Sequence, residues 1–234
     1  MFFQKFGEGS PILYLHGWGA DGSIFQSVVA RLPNYTNYLV DFVGFGKSDK
    51  PPIEGWNVLD YAKDILRFLD DQNLQQVTIV GHSFGCRVAM VLASLYPNRV
   101  GKLLLVAPAG LRKPSFKRWC KVLKYKMHKF LCKMGVCQNV SVRYGSVDYN
   151  ACENGLKNTF VKVVNQDLTA FAKKIACPTL IVNGNNDTQT PLKHAQNLQK
   201  LIKTSSLVEI DGDHFAFFHN PQAFAQTIKL FEES

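Results

Sequence analysis

Short apolar runs alternate with helix-like stretches along almost the whole of this chain. The runs are rich in aliphatic and β-branched residues, and the stretches between them repeat their apolar residues every three or four positions. Such alternation predicts an α/β fold, with a mostly parallel sheet that helices cover on both faces. The predicted strands are residues 12–15, 38–42, 77–80, 103–106, 179–182 and 207–210, and the predicted helices are residues 23–32, 59–71, 84–96, 192–201 and 221–231.

Two further segments complete the predicted organisation. Residues 2–6, followed by Gly7-Glu8-Gly9, indicate an additional antiparallel strand at the sheet edge, for about seven strands in all. The alternation stops between residues 111 and 168, where basic amphipathic stretches replace it. An insertion between two strands of a parallel sheet lies above their carboxyl ends, where such sheets bind ligands. Residues 111–168 are therefore predicted to form a helical cap on a core of residues 1–110 and 169–234.

The composition indicates a soluble globular protein in a reducing compartment. Hydrophobic residues make up 46% of the 234 residues, and no apolar run approaches the roughly 20 residues that span a bilayer. The first residues lack the basic and apolar regions of a secretion signal, so we expect a cytoplasmic location. The six cysteines include no C-x-x-C pair and are expected to be free thiols.

The net charge of +9 is concentrated in the predicted cap. Residues 72–147 contain no Asp or Glu, and every charged residue from 112 to 133 is Lys or Arg. The aromatic and aliphatic residues there recur at helical spacing, so one face can pack on the core and line a pocket. The basic face could instead bind an anionic membrane surface, an acidic substrate or an acyl carrier. Nucleic-acid binding is disfavoured because the aromatic residues lie on the apolar face.

A G-x-S-x-G sequence stands between the third core strand and the helix that follows it. Its residues are Gly81-His82-Ser83-Phe84-Gly85. In this context the serine occupies a sharp, strained turn, and the glycines allow the strand and helix to approach closely. The serine hydroxyl then lies at a helix N-terminus, which favours negative charge. The position suits a nucleophile whose reaction passes through an oxyanion.

A serine nucleophile needs a base and a carboxylate that orients the base. His214 follows the last predicted strand and Asp187 follows the strand before it, so both are expected at the same sheet edge as Ser83. Asp213 is adjacent to His214 and cannot comfortably reach back to its ring. Residues 107–113, which follow another strand, contain no carboxylate. Asp187 is therefore the predicted acid.

With these residues in place, the chain resembles the α/β-hydrolase superfamily over nearly its whole length. Five motifs occur in the family's order: His16-Gly17-Trp18-Gly19, the loop 41–48, the serine turn, the Asp187 loop and Gly212-Asp213-His214. The resemblance implies an oxyanion hole made by the backbone N–H groups of Trp18 and Phe84. It also implies that His16 supports the oxyanion loop. His82 is expected to support or pack against neighbouring residues.

The residues and the resemblance together predict a carboxylesterase-like serine hydrolase. The expected substrate is a small or medium apolar ester or thioester, cleaved through an acyl-enzyme without a metal, nucleotide or flavin. The same residues also suit an amidase, an acyltransferase or a hydrolase of carbon–carbon bonds, and a ligand receptor with negligible turnover is the alternative of another class. The predicted pocket-lining residues are Trp119, Leu123, Met127, Phe215 and Phe217.

Overall fold

The computed structural model of the chain describes residues 1–111, 127, 132, 147–152 and 154–234. Within these ranges seven strands form one sheet: β1 (Phe3–Phe6), β2 (Ser10–Leu15), β3 (Tyr35–Val40), β4 (Val77–His82), β5 (Val100–Val106), β6 (Thr179–Gly184) and β7 (Ser205–Ile210). Their order across the sheet is β1-β3-β2-β4-β5-β6-β7. Only β1 and β3 are antiparallel, whereas every other neighbouring pair is parallel. The predicted α/β-hydrolase fold, with its antiparallel edge strand, is confirmed.

Helices cover both faces of this sheet. In the described part of the chain the α-helices are α1 (Gln26–Val29), α2 (Val58–Asp71), α3 (Phe84–Leu95), α4 (Val147–Ala151), α5 (Lys157–Asn165), α6 (Thr169–Ala172), α7 (Leu192–Leu201), α8 (Ala216–His219) and α9 (Pro221–Glu233). Buried side chains of α2, α3 and α7 pack with those strand residues that point to one face. Those of α1, α8 and α9 pack with the alternate residues on the other face. Burying both faces of the strands explains why the sequence shows continuous apolar runs.

Helix α2 shows how local sequence sets an element boundary. The Asn57 side chain accepts hydrogen bonds from the N–H groups of Leu59 (2.8 Å) and Asp60 (3.3 Å). The Asp60 carboxylate accepts the N–H of Asn57 in return at 2.8 Å. These backbone N–H groups at the start of the helix, which have no intrahelical acceptor, are therefore all hydrogen-bonded, and the helix begins at Val58.

The prediction of one helix over residues 23–32 is wrong in detail. A 3₁₀ helix (Gly22–Phe25) comes first, and α1 adds only one α-helical turn. The chain then tightens, because the N–H groups of Arg31 and Leu32 bond to carbonyls three residues back. The proline at position 33 disfavours helical geometry at Leu32, which explains the early end.

Two further observations concern the expected cellular context. Cys132 is disulfide-bonded, so the expectation of six free thiols is wrong, because a second sulfur comes within bonding distance of it. Cys86 and Cys177 are free thiols. In the described ranges, every helix is too short or too polar to cross a membrane.

The topology brings several loops together at one edge of the sheet. Strands β2, β4, β6 and β7 run in the same direction, so the loops that follow them emerge at their shared carboxyl edge. Parallel sheets bind ligands at this edge. The loops carry Trp18, Ser83, Asp187 and His214, each predicted from the sequence as a site residue.

Candidate functional site

Ser83 lies at the turn between β4 and α3 in a strained backbone conformation. Its φ is 48° and its ψ is −101°, a region that residues with a side chain rarely adopt. Its own N–H donates to the Val106 carbonyl at 3.0 Å, so the neighbouring strand β5 fixes the turn. Such strain persists only where the surrounding structure holds it, and it is concentrated at functional sites.

The two flanking glycines are required by close backbone approach. A Cβ at Gly81 would lie 2.9 Å from the backbone nitrogen of Cys86, at the start of α3. A Cβ at Gly85 would press against the carbonyl of Leu15 on β2. The absence of both side chains lets α3 start directly against β2 and β4, which makes the turn at Ser83 sharp.

Asp187 and His214 meet through a direct hydrogen bond. His214 Nδ1 lies 2.8 Å from Asp187 Oδ2, and both residues are buried. The other carboxylate oxygen, Oδ1, accepts the N–H groups of Gln189 and Thr190, each at 2.8 Å. The Thr190 hydroxyl donates to Oδ2 at 2.6 Å. These donors hold the carboxylate in one orientation toward the imidazole.

The same donors determine the ionisation of Asp187. Burial alone would raise the pKa of its carboxyl group, but the hydrogen bonds from Thr190 and His214 favour the charged form. Their effect is larger, so the pKa lies below its ordinary value. Asp187 is therefore a carboxylate at neutral pH, and it can stabilise positive charge on the His214 ring.

Ser83 and His214 both line a cavity of about 350 Å³. The described residues contribute its walls: Trp18, Ser83, Phe84, Arg87, Ala109, Phe160, Val163, Val164, Gln189, Thr190 and His214. No hydrogen bond joins Ser83 to His214 in the described ranges. Because Asp187 occupies Nδ1 of His214, the Nε2 atom on the opposite side of the ring remains for proton exchange in this cavity. Apo structures often show such contacts long or misaligned.

The backbone N–H groups of Trp18 and Phe84 are the predicted donors to an oxyanion. Phe84 is the first residue of α3, so its N–H precedes the first intrahelical bond. Neither N–H donates to another group in the described part of the chain. The two rings touch edge to face, with centroids 5.5 Å apart. Both residues line the cavity, so their loops lie beside Ser83.

Two buried histidines hold the surrounding loops together. His16 contacts the Gly17 carbonyl through Nδ1 at 2.7 Å and accepts the N–H of Phe42 through Nε2 at 3.0 Å. His82 donates from Nε2 to the backbone carbonyl of His214 at 3.0 Å. Burial lowers the pKa of His16 to about 4. Burial and the nearby His214 lower the pKa of His82 to about 3. Both rings are therefore neutral at physiological pH.

The lowered pKa values of His16 and His82 predict a steep loss of folding stability in acid. Unfolding lets both take up protons at their ordinary pKa of 6.5. Because the pKa values of both histidines are lowered in the folded state, the stability that the neutral rings contribute is complete above pH 6.5. It is lost as the pH falls toward the pKa values of the folded state. Each histidine should lower the free energy of unfolding by about 1.4 kcal/mol per pH unit in that window. Urea denaturation at several pH values measures this slope.

A single substitution provides the control for this prediction. His82→Gln keeps a side-chain N–H donor but removes one titrating group, so the slope contributed by the two histidines should halve. An acid slope identical in the variant and the wild type would show that His82 is not held neutral by burial.

The structure describes three of the five predicted pocket residues: Met127, Phe215 and Phe217. Phe217 is fully buried and packs against Phe25 and Phe224 on the α1 and α9 side of the sheet. Phe215 packs against the rings of His82 and His214, but it is not part of the cavity wall. Met127 is 60% exposed. Trp119 and Leu123 lie outside the described residues.

The observed cavity wall comes largely from residues that the sequence did not single out. Helix α5 contributes Phe160, Val163 and Val164, and α3 contributes Arg87. The helical spacing of apolar residues in the predicted cap could not show which part of the core they would cover. The sequence analysis did not predict Thr190 either, although its position three residues after Asp187 is typical of a local side-chain turn.

Asp213 and Asp211 have local structural contacts. Asp213 Oδ1 accepts the N–H of Phe215 at 2.8 Å, and Asp211 Oδ1 accepts from the side chain of Asn185 at 3.2 Å. Only Asp187 contacts the His214 ring among these carboxylates. Asp187 is therefore the carboxylate in contact with the imidazole, and its role as the acid of the site stays a prediction.

Comparison with known proteins supports the relationship that the site suggests. The family model for the alpha/beta hydrolase fold matches residues 10–131. The AB hydrolase superfamily protein YisY of Bacillus subtilis is 26% identical over 257 residues, which cover 100% of this chain and 96% of that protein. The pimeloyl-[acyl-carrier protein] methyl ester esterase of Wigglesworthia glossinidia brevipalpis is 24% identical, over 98% of this chain and 96% of that protein. The solved structure of an esterase from Exiguobacterium antarcticum superposes with a TM-score of 0.79 at 23% identity. The superposition covers 100% of this chain and 95% of the esterase chain.

Proposed function

Because the chain belongs to the alpha/beta hydrolase fold family, we propose that it is a serine hydrolase. The proposed substrates are small or medium apolar carboxylic esters or thioesters, which it cleaves through an acyl-enzyme. One observation carries the proposal: the ring of His214, bonded to Asp187 at 2.8 Å, lines the same cavity as Ser83. A base and a nucleophile in one cavity, with the base oriented by a buried carboxylate, form the arrangement that acyl transfer needs.

The proposed first step forms the acyl-enzyme. Ser83 Oγ attacks the carbonyl carbon of the substrate while Nε2 of His214 takes the hydroxyl proton. The negative charge of Asp187 stabilises the resulting imidazolium. When the tetrahedral intermediate collapses, the bond to the alcohol or thiol breaks, and the leaving group receives the proton from His214.

The second step releases the acid. A water molecule gives a proton to Nε2 of His214 and attacks the acyl carbon, and the bond to Ser83 Oγ breaks as the serine regains a proton. In both steps the substrate oxygen carries negative charge. The N–H groups of Trp18 and Phe84 are proposed to bind that oxygen, since preorganised donors stabilise it without reorganisation.

The cavity composition supports a largely apolar acyl group. Trp18, Phe84, Phe160, Val163 and Val164 form most of its described wall, and aromatic or aliphatic walls favour apolar ligands. The esterase name of the Wigglesworthia relative supports an ester over an amide or a carbon–carbon bond. The volume of about 350 Å³ lies at the lower end of the range for small-molecule sites, which supports a small or medium acyl group.

The proposal is tested with purified protein and a series of p-nitrophenyl esters of increasing acyl length. We expect burst kinetics, saturable hydrolysis and labelling of Ser83 by a fluorophosphonate, located by peptide mass spectrometry. The label should block hydrolysis in proportion to its occupancy. A protein that binds these esters tightly and shows no turnover would instead be a receptor. Full hydrolysis after complete labelling of Ser83 would contradict the mechanism.

A further inference from the structure

Arg87 connects α3, the helix that follows Ser83, to α5, the helix that forms the opposite cavity wall. It lies on the first turn of α3, which begins directly after Ser83, and both Arg87 and Ser83 line the cavity. Its Nη1 atom donates to the carbonyl of Val163 at 3.1 Å and to the carbonyl of Gln166 at 3.2 Å. We call this pair of hydrogen bonds the Arg87 bridge.

The acceptors of the Arg87 bridge lie at the C-terminal end of α5. The last carbonyls of a helix lack the partner four residues further on, although the Val163 carbonyl also accepts the N–H of Gln166 at 3.3 Å. This end of the helix carries the negative pole of the helix dipole. A guanidinium donates strong, charge-assisted hydrogen bonds to such carbonyls. The positive charge of Arg87 is therefore already compensated by α5, although the side chain also lines the cavity.

The helix that Arg87 holds is also the helix that shapes the pocket. Phe160 and Val163 are buried on α5, and Phe160 packs edge to face against Trp18 with ring centroids 5.1 Å apart. The distance between α5 and α3 thus sets the width of the cavity above Ser83. A change of one methylene at such a wall alters substrate selection measurably.

Other contacts hold α5 from the opposite direction. The N–H of Trp56 donates to the Thr159 hydroxyl oxygen at 3.0 Å, and the N–H of Val58 donates to the Gln166 side chain at 3.1 Å. These bonds connect α5 to the start of α2. Removing the Arg87 bridge should therefore shift and loosen α5 without detaching it from the core.

We propose that Arg87 is a specificity-determining residue, which fixes the width of the acyl pocket by holding α5 against α3, the helix that follows Ser83. The selectivity part of this inference rests on the proposed esterase function. The bridge positions a wall and does not receive an anionic group of the substrate. A pocket with a fixed wall should discriminate sharply between neutral acyl chains of different length and branching.

The test compares Arg87→Met and Arg87→Lys with the wild type. Arg67→Met is the matched control, because Arg67 is an exposed residue of α2 in a single i,i+3 ion pair. The substrates are p-nitrophenyl esters of linear and branched neutral acids, and a p-nitrophenyl monoester of a dicarboxylic acid. For Arg87→Met we expect the ratio of kcat/KM between preferred and disfavoured neutral esters to fall about tenfold. Arg87→Lys should restore part of that ratio.

A second measurement does not depend on turnover. Amide hydrogen exchange in residues 157–166 should increase about tenfold in Arg87→Met and stay unchanged in Arg67→Met. Unchanged exchange in Arg87→Met would overturn the proposal, as would a loss restricted to the carboxylate-bearing ester. If the wild type hydrolyses no ester, the proposed function fails and so does the selectivity claim. Increased exchange would then still identify the bridge as the contact that positions α5.

Discussion

Replacing Ser83 by alanine is expected to lower kcat for ester hydrolysis by about six orders of magnitude. Without Oγ no acyl-enzyme can form, so only the uncatalysed attack of water remains, assisted by binding and by the oxyanion donors. The backbone of the turn should persist, because Val106 holds the N–H of residue 83 whatever its side chain. Rates at saturating p-nitrophenyl ester, compared with a buffer blank, measure the effect.

Ser94→Ala provides a matched control on the same helix, α3. The Ser94 hydroxyl is buried and has no hydrogen-bond partner in the described part of the chain. Removing an unsatisfied hydroxyl costs little stability and touches nothing in the cavity, so kcat should equal that of the wild type. A Ser83→Ala protein with activity comparable to Ser94→Ala would refute the proposed mechanism.

The positions of Ser83, Asp187 and His214 could be predicted from sequence because a general rule links them. Each residue follows a strand of a parallel sheet, and parallel strands present their carboxyl ends at one edge. The strand pattern therefore brings the three side chains to one edge without knowledge of any contact. The strained φ of Ser83 follows equally from local sequence, since the glycines at 81 and 85 are needed only where backbones approach closely.

The walls of the cavity could not be predicted in the same way. The Arg87 bridge joins residues 76 and 79 positions apart, and no local pattern records which carbonyls a guanidinium will reach. Phe217 illustrates the converse difficulty. Its position after His214 suggested a cavity residue, but the one-turn helix α8 directs the ring into the core beside Phe25. An aromatic residue near a site can pack on either side, and tertiary packing decides between them.

Replacing Asp187 by asparagine is expected to lower kcat by about four orders of magnitude, with little change in KM. The hydrogen bonds around the carboxylate determine how the amide will lie. The position of Oδ1 receives two backbone N–H groups, from Gln189 and Thr190, so the amide oxygen must occupy it. The amide NH₂ then replaces Oδ2 and donates to Nδ1 of His214. That donation moves the ring proton to Nε2, where it blocks removal of a proton from Ser83.

Asp213→Asn is the matched control for this change. It makes the same chemical substitution one residue before His214. Among the described residues, the Asp213 carboxylate contacts only the Phe215 N–H and His219, and its side chain is 56% exposed. Its asparagine oxygen can still accept the N–H of Phe215, so kcat should match the wild type. Nitrogen-15 NMR of the His214 ring should show a change of tautomer in Asp187→Asn alone. Equal losses in the two variants would mean that the charge near His214 matters, and not the bond between Oδ2 and Nδ1.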